Sequence, residues 1–307
     1  RGPKLNIIAN PDSTLSVISL AIYGTPVSRF PLTLSPDGAA TLSIDLSQSA
    51  SDIAYAAPLK PVNAVLNVPI AGAATAIDIA IPAIKVSGTT NAHTIQLGDG
   101  SLQIPAYGLS LNGVNLRASA GAKMDATLSI AAIENPGNTP WFIPLKLQAS
   151  AAMQGGVLAF KGRLNDTPGN IIISANGRHN FAKNTGHAAI KAKKITFLPT
   201  VLQPDSLSPR LRHMFREVDG DIALKSDLSW RNGALRSEAE ALVNLARLET
   251  DEVSVTNAAT IITFNNLFPP TTAPGQIVDI GEINVGVPLT DGRLALQLRA
   301  DGSVLAG

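Results

Sequence analysis

Apolar and polar residues alternate along most of this sequence, which is typical of β-strands because successive side chains point to opposite sides of a sheet. One clear run places four apolar residues on one side of a strand: Ile222, Leu224, Leu228 and Trp230. The charged residues of that run fall on the other side: Lys225, Asp227 and Arg231. A later run repeats the pattern with its own apolar residues: Leu294, Leu296 and Leu298. We therefore predict an all-β chain of mainly antiparallel strands with one aliphatic side.

Asp-Gly and Asn-Gly dipeptides separate many of these runs. Both supply the positive backbone φ that tight hairpins need, so each predicts a hairpin turn. They occur at 37–38, 99–100, 112–113, 176–177, 219–220, 232–233, 291–292 and 301–302. The spacing from 99–100 to 112–113, and again from 219–220 to 232–233, leaves about 11 residues for a strand, or roughly 36 Å. Such strands are about twice the usual length and favour a wide sheet over a compact immunoglobulin-like sandwich.

One segment departs from the alternation. Between Ser208 and Val218, a Ser at the N-cap position and Pro209 at the first helical position predict a short amphipathic helix. Its apolar residues have helical spacing: Leu211, Met214, Phe215 and Val218. We expect this helix to cover one end of a β core; the alternative is that its basic residues lie on an anionic membrane surface. The Pro-marked connection before it predicts a division of the chain into segments 1–200 and 201–307.

Composition narrows the function classes. The 307 residues are 45% hydrophobic but only 4% aromatic and 15% charged, so the apolar content is mainly aliphatic and disorder is excluded. The 24 Lys and Arg nearly balance the 23 Asp and Glu, which leaves no electrostatic footprint for nucleic acid. With no cysteine, disulfides and thiolate chemistry are excluded.

The termini and the most hydrophobic stretch bear on membrane anchoring. Residues 69–86 are interrupted by Asp78 and Pro82, so they do not predict a membrane span, and no signal peptide is present. The chain opens on Arg1, from which we expect a processed or excised piece of a longer protein. Any membrane anchor is then expected outside these residues.

No residue pattern predicts catalysis, a metal or a cofactor. The histidines lack ligand spacing: His93, His179, His187 and His213. The acids at 219, 221 and 227 lack the full loop pattern of a calcium site. The acid pairs at 238 and 240 and at 251 and 252 fit solvated strand faces or loops better than glycosidase carboxylates. An enzyme is therefore the third of our hypotheses.

Two motifs in the last third carry a family resemblance. A glycine, an alternating strand and a tryptophan run from Gly220 to Trp230, and a pattern "PGQ, strand, GxPLxDG" spans 274–292. Over residues 204–300, about a third of the chain, the sequence resembles the C-terminal region of the AsmA-like envelope proteins of Gram-negative bacteria, in their YdbH-like branch. Ten residues match the family's motifs, and most are of types that occur at turns and strand ends: Gly220, Trp230, Pro274, Gly275, Gln276, Gly286, Pro288, Leu289, Asp291 and Gly292.

The resemblance implies a fold and a function. Proteins of this family are anchored in the inner membrane by an N-terminal helix and cross the periplasm as a long, curved β-sheet with a hydrophobic groove. They are implicated in moving phospholipid to the outer membrane, with a small outer-membrane lipoprotein near their C-terminal end, and have no catalytic residues or cofactors. Seven residues become candidates for contact with acyl chains: Ile222, Leu224, Leu228, Trp230, Leu294, Leu296 and Leu298.

Two other functions stay open. A β scaffold could pack its aliphatic sides shut and pair its edge strands with a partner protein. A polysaccharide-acting enzyme on a β-helix would need short repeated rungs and aromatic sugar platforms, which fit this sequence poorly. Alternation alone fits both a groove and a closed core, because it gives the side on which a residue lies and not what covers that side.

Overall fold

The computed structural model describes residues 4–9, 15–22, 25–34, 40–45, 52–70, 73–89, 91–121, 123–267 and 269–307. The chain divides into two compact units. Unit 1 comprises residues 1–134, 145–162 and 178–184, and unit 2 comprises residues 135–144, 163–177 and 185–307. The division into a β-groove segment 1–200 and a C-terminal β-groove segment 201–307 stays a prediction.

Strands make up most of the described chain, which confirms the all-β prediction. The first eleven strands are β1 (Lys4–Ala9), β2 (Leu15–Ile22), β3 (Thr25–Leu34), β4 (Ala40–Asp45), β5 (Asp52–Leu59), β6 (Val62–Ile70), β7 (Ala73–Ile81), β8 (Ala83–Thr89), β9 (His93–Ile104), β10 (Leu109–Ala120) and β11 (Met124–Glu134). A single 3-10 turn, Pro105–Tyr107, connects β9 to β10.

The strands of the second half are β12 (Leu145–Gln154), β13 (Val157–Asp166), β14 (Ile172–Asn180), β15 (Thr185–Phe197), β16 (Glu217–Arg231), β17 (Ala234–Glu249), β18 (Ser254–Leu267), β19 (Pro270–Thr272), β20 (Gln276–Asn284), β21 (Pro288–Leu298) and β22 (Val304–Ala306). They include the longest strands, β15 to β18, together with two strands of three residues. Between β15 and β16 lie one helical turn, α1 (Pro204–Leu207), and a 3-10 turn, Pro209–Leu211. At 15 and 16 residues, β16 and β17 confirm the prediction of long strands.

All pairings within each unit are antiparallel. In unit 1, β4, β5, β8, β9, β10, β11 and β12 pair in that order, with β1 on β4, β7 on β9, β6 on β7, and β2 with β3. In unit 2, β15, β16, β17, β18, β20, β21 and β22 pair in that order, and the short β19 pairs with β18. Each unit therefore presents a wide antiparallel sheet with two distinct faces.

Several predicted hairpin turns are wrong. The structure places residues 99–100, 112–113, 176–177, 219–220 and 291–292 inside strands. Asp99, Gly113 and Asp291 do adopt positive φ, of 50°, 64° and 57°, and Gly220 has a φ of 147°. Each of these four residues lies at an irregular position within a strand ladder and not in a turn. An αL residue suits a β-bulge as well as a hairpin, so the dipeptide does not distinguish the two. The chain instead turns after Pro105–Tyr107, so residues 99–113 are not one strand.

Two of the Asx-Gly predictions hold. Asn232 and Gly233 connect β16 to β17, and Asp301 and Gly302 lie between β21 and β22. The predicted turn at 37–38 lies outside the described residues.

A bulge in unit 2 begins a row of irregular residues across the sheet, which we call the kink row. Asp219 pairs with Arg247 but Gly220 pairs with Leu245, so β17 carries one extra residue, Ala246. The register then stays constant through β18, β20 and β21 and places Asn257, Gly281 and Asp291 at the level of Ala246; Asn257 and Asp291 have positive φ. Because a bulge bends its strand and increases its twist, we expect β17 to bend at this level relative to β16.

The predicted helix over 208–218 is wrong. Ser208 has an extended backbone and makes no side-chain cap; its hydroxyl instead donates to the Trp141 carbonyl at 2.6 Å. The 3-10 turn stops at Arg212, and His213 has a φ of 68°. From Glu217 the chain pairs with β17, an alternative that a short isolated helix cannot outcompete.

We expect Gly220→Ala to destabilise the fold. Gly220 has a φ of 147°, and an added Cβ would come within 2.7 Å of Leu245 Cα and closer still to the Asn244 carbonyl oxygen. The loss should be about 2 kcal/mol or more, measured by urea denaturation. Gly292→Ala is the matched control, because its added Cβ meets no atom within 4 Å and it should change stability little. Equal stability of both variants would contradict the positive φ and the close backbone approach assigned to Gly220.

Candidate functional site

Cross-strand pairing in unit 2 brings the aliphatic residues onto a single side, which we call the aliphatic face. On β16, Ile222 pairs with Val243 and Leu224 pairs with Ala241, which in turn pairs with Ile262 of β18. At the other side of the sheet, β21 contributes Leu294 and Leu296 opposite Val278 and Gln276. All seven candidate residues lie on this face: Ile222, Leu224, Leu228, Trp230, Leu294, Leu296 and Leu298. The β16 and β21 groups are separated by β17, β18 and β20.

Among the described residues of β15 to β21 that the pairing register places on a face, no charged residue lies on the aliphatic face; the register assigns Asp291, at the kink row, to neither face. The polar members of this face are uncharged, and two of them pair with each other: Ser237 donates its hydroxyl to Asn266 Oδ1 at 2.6 Å. Removing a charge from water without a partner costs several kcal/mol, whereas paired hydroxyl and amide groups are tolerated. The face is therefore chemically suited to stay in contact with hydrocarbon.

Burial along this face depends on side-chain size. The buried members away from the ends of the strands are small, namely Ala188, Ser226, Ser237, Ala239 and Ala258. The larger candidates stay only half-buried: Ile222, Leu224, Leu228, Trp230, Leu294, Leu296 and Leu298. In a sheet packed against a second layer, the large residues would be buried deepest. On this face of unit 2 the large residues are instead less buried than these small ones.

One end of the aliphatic face is closed by residues 198–216, which we call the cover segment. Leu202 and Leu207 form a buried cluster with Phe197 and Val218, and Ile222 packs against its edge. Phe215 joins this cluster as predicted, whereas Met214 points away and is 54% exposed. The prediction that residues after Ser208 cover one end of the β core is thus correct in place but wrong in structure and in part of its residues.

Gln203 fastens the cover segment to β16. Its Nε2 donates to the carbonyls of Val218 at 2.8 Å, Leu202 at 3.0 Å and Leu198 at 3.1 Å, and its Oε1 accepts from the Val218 amide at 2.8 Å. The Gln203 side chain thus makes the hydrogen bonds to the Val218 backbone that a neighbouring strand would otherwise make. Sequence reasoning missed it, since a single glutamine between two apolar residues carries no distinctive signal.

Ion pairs lie on the opposite side of unit 2, which we call the polar face. Thr196 donates to Asp221 Oδ1 at 2.6 Å and Lys194 to Oδ2 at 2.9 Å, and these hydrogen bonds lower the pKa of Asp221. A hydrogen bond from Lys225 to Glu240, with the ions 2.7 Å apart, raises the pKa of Lys225. These groups are exposed, so their contribution to stability is small and their main effect is solubility.

An apolar row also crosses the polar face, which differs from the strict alternation expected. Leu242 pairs with Ala223 and with Ile261, and Leu242 and Ile261 are 42% and 59% exposed. The row borders a shallow concavity of about 280 Å³ beside Lys225 and Glu240. Single exposed aliphatics are ordinary on strand surfaces, so the row alone defines no site.

Most residues of the two family motifs lie at turns, at strand ends or at the kink row. Gly275 and Gly286 turn the chain with φ of 74° and 100°, and Gln276 Oε1 accepts from the Thr263 amide at 2.9 Å at the start of β20. Trp230 and Pro288 stand at strand ends, and Pro274 precedes the turn at Gly275. Gly220, Asp291 and Gly292 lie at the kink row within their strands, while Leu289 is exposed beside the β20–β21 turn.

Neither a metal cluster nor a spanning helix occurs in the part of the chain that the structure describes. No group of three or more His, Asp or Glu side chains is close enough there to hold an ion. Its helical turns are far too short to cross a bilayer. In unit 1, Leu97, Leu116 and Leu128 form one cross-strand row.

We expect Gln203→Ala to loosen the cover segment. The change leaves the Val218 amide and carbonyl without their side-chain partner, at a cost of about 1–3 kcal/mol. Hydrogen exchange should then accelerate at residues 198–218 while β17 to β21 stay protected. Ser206→Ala, an exposed substitution in the same segment, is the control and should leave exchange unchanged. Unaltered protection in Gln203→Ala would refute the fastening role.

A family model described as "YdbH-like: Intermembrane phospholipid transport protein YdbH" matches residues 10–305. Searches of curated proteins and of solved structures returned no match. The resemblance drawn from residues 204–300 is confirmed, and the match extends over almost the whole chain.

Proposed function

The chain belongs to the YdbH-like family of intermembrane phospholipid transport proteins, and we propose that it is a periplasmic segment along which phospholipid acyl chains move between the inner and outer membranes. The aliphatic face is the proposed path. In this proposal the full protein is anchored in the inner membrane by a segment outside this chain and cooperates with a small outer-membrane lipoprotein. The proposal contains no catalytic step and no cofactor.

The physical requirement for such a path is to keep hydrocarbon out of water. Exposing an acyl chain costs about 0.8 kcal/mol per CH2, so a free phospholipid crosses an aqueous compartment very slowly. A sheet whose one face is uncharged and aliphatic can cover the acyl chains, while its ion-paired face keeps the protein in solution. Movement along the face needs no fixed ligand residue, since the interaction is the same at every position.

The observation that carries the proposal is the half-burial of the large aliphatic side chains. Leu224 and Leu228 make up an uncharged surface with Leu294 and Leu296, yet none of them is fully enclosed. A bound acyl chain would complete their burial at about 25 cal/mol per Å² of apolar surface. This supports an open lining over the alternative of a scaffold with a closed core.

Organic extraction of the purified chain tests the open lining directly. We expect phospholipid in the extract and matching adducts in native mass spectra, because an exposed aliphatic face should retain lipid during purification. A closed-core scaffold would give lipid-free protein by both measurements.

We expect Leu224→Asp to reduce phospholipid bound per chain several-fold. The carboxylate would have to lose its hydration beside an acyl chain, which is costly in free energy. Leu242→Asp is the matched control, since Leu242 lies on the neighbouring strand but on the polar face, and its variant should bind lipid normally.

Leu296→Arg on β21 extends the same test to the other candidate group. Circular dichroism and thermal unfolding first establish that both variants fold. If Leu224→Asp and Leu296→Arg both fold and both bind and transport phospholipid normally, the aliphatic face is not the path.

A further inference from the structure

The cover segment occupies part of the same face that the proposed path uses. Phe197 of β15 and Val218 of β16 lie at one end of the aliphatic face. Leu202 and Leu207 of the cover segment form one buried cluster with them. Ile222, one of the candidate contacts for acyl chains, packs at the edge of this cluster. This end of the face is therefore covered by hydrocarbon that the chain itself supplies.

Burial along β16 shows what a second hydrocarbon layer does to the face. Val218, beneath the cover segment, is 4% exposed, whereas Leu224 and Leu228 further along the same strand stay half-buried. The leucines of the cover segment thus do for Val218 what an acyl chain would do for Leu224 in the proposed path. Because apolar burial is non-directional and depends on area, either kind of hydrocarbon can fill the place of the other.

The cover segment is attached by polar contacts at its margins. Gln203 joins it to the Val218 backbone on β16. On its outer side it is joined to residues 135–144 by three hydrogen bonds and one stacking contact. These are the Ile143 amide to the Leu207 carbonyl at 3.1 Å, Ser208 Oγ to the Trp141 carbonyl at 2.6 Å, Arg210 Nε to the Thr139 carbonyl at 3.4 Å, and the Arg210 guanidinium over the Trp141 ring at 4.6 Å.

The cover segment has little regular structure of its own. It contains one α-helical turn of four residues, Pro204–Leu207, and a 3-10 turn of three residues, Pro209–Leu211, and neither has a side-chain cap. Helices this short are not stable alone, because nucleation is costly. The strand beneath is hydrogen-bonded to both β15 and β17. The cover segment can therefore open while the sheet stays folded, since its position depends on its attachments alone.

We propose that the cover segment is a displaceable lid, and that it competes with phospholipid acyl chains for the end of the aliphatic face at Phe197, Val218 and Ile222. With the lid seated, acyl chains reach Leu224 and Leu228 but not Val218. With the lid displaced, acyl chains take the places of Leu202 and Leu207.

The choice of an acyl chain as the competitor rests on the proposed function. The surface under the lid is uncharged and continuous along β16 with the half-buried leucines, and the chain belongs to a family of phospholipid transport proteins. Competition of this kind is reciprocal: whatever loosens the lid must raise the affinity for lipid, and lipid must loosen the lid by the same factor. Each direction has its own measurement.

Hydrogen exchange of the unaltered chain, freed of bound lipid, tests the first direction. We expect exchange at residues 198–216 to accelerate about fivefold or more on saturation with diheptanoylphosphatidylcholine below its micelle concentration, while β17 and β18 stay protected. Glycerophosphocholine, which has the same headgroup and no acyl chain, is the control and should change nothing. A permanent cap would exchange at the same rate, or more slowly, when lipid binds, and that result would overturn the lid.

Lipid affinity of variants tests the second direction. Gln203→Ala removes an attachment of the lid, and Leu207→Ala removes hydrocarbon from its underside, so both should bind diheptanoylphosphatidylcholine about fivefold more tightly. Ser206→Ala, an exposed substitution in the same segment, should bind as the unaltered chain does. Circular dichroism establishes that each variant folds. Unchanged or weaker binding in Gln203→Ala would overturn the lid, because a structural cap supports the face beneath it.

Leu224→Asp separates failure of the lid from failure of the path. Weaker binding in Leu224→Asp with unchanged binding in Gln203→Ala overturns the lid and leaves the path in place. Binding that appears in Gln203→Ala but not in the unaltered chain supports the lid, which then holds the face closed. No binding by the unaltered chain, Gln203→Ala or Leu207→Ala overturns both.

Discussion

The cost of taking a charge out of water governs how these sheets are built. On a strand every second residue shares a face, so a single charged side chain in the wrong register would stand among aliphatics with no ion to pair with. In unit 2 the charged groups of β16 to β21 that pair in register lie on the polar face, where Lys225 meets Glu240 and Arg293 meets Asp279 at 3.0 Å. The aliphatic face, its half-buried large residues and the closed end beneath the cover segment all follow from this separation.

An aliphatic face of this kind also explains why the candidate site has no central residue. In the proposed path, Leu224 and Leu294 would contribute in the same way, through their apolar area, and another aliphatic side chain of similar volume would replace either of them. Binding spread over many equivalent positions favours sliding over tight capture, because no position is much deeper in free energy than its neighbours. The family's transport of phospholipid between membranes fits this flat energy profile better than a single pocket would.

Local patterns were enough to predict the strands and their faces, and distant contacts explain what the sequence did not reveal. The alternation from Ile222 to Trp230 is a property of consecutive residues, so its face was predictable. The cover segment depends on Gln203 reaching Val218 and on Ser208 reaching Trp141, and neither contact leaves a local pattern. Asp219-Gly220 can supply a positive φ to a bulge or to a hairpin turn. The register with β17 shows that it forms a bulge, and the dipeptide alone does not reveal this.

The kink row resets the alternation of faces at one level of neighbouring strands. Leu245 and Leu248 both pack against the buried cluster that contains Val218, whereas Arg247 lies beside Glu217 on the polar face, so Ala246 stands outside the alternation. Asn257, Gly281 and Asp291 occupy the same level of β18, β20 and β21. Deleting one of these residues would leave the later side chains of its strand on their present faces, because the residues on either side of it already alternate. A single deletion elsewhere in these strands would turn the later side chains over. The kink row is therefore a level at which these strands tolerate a change in length of one residue.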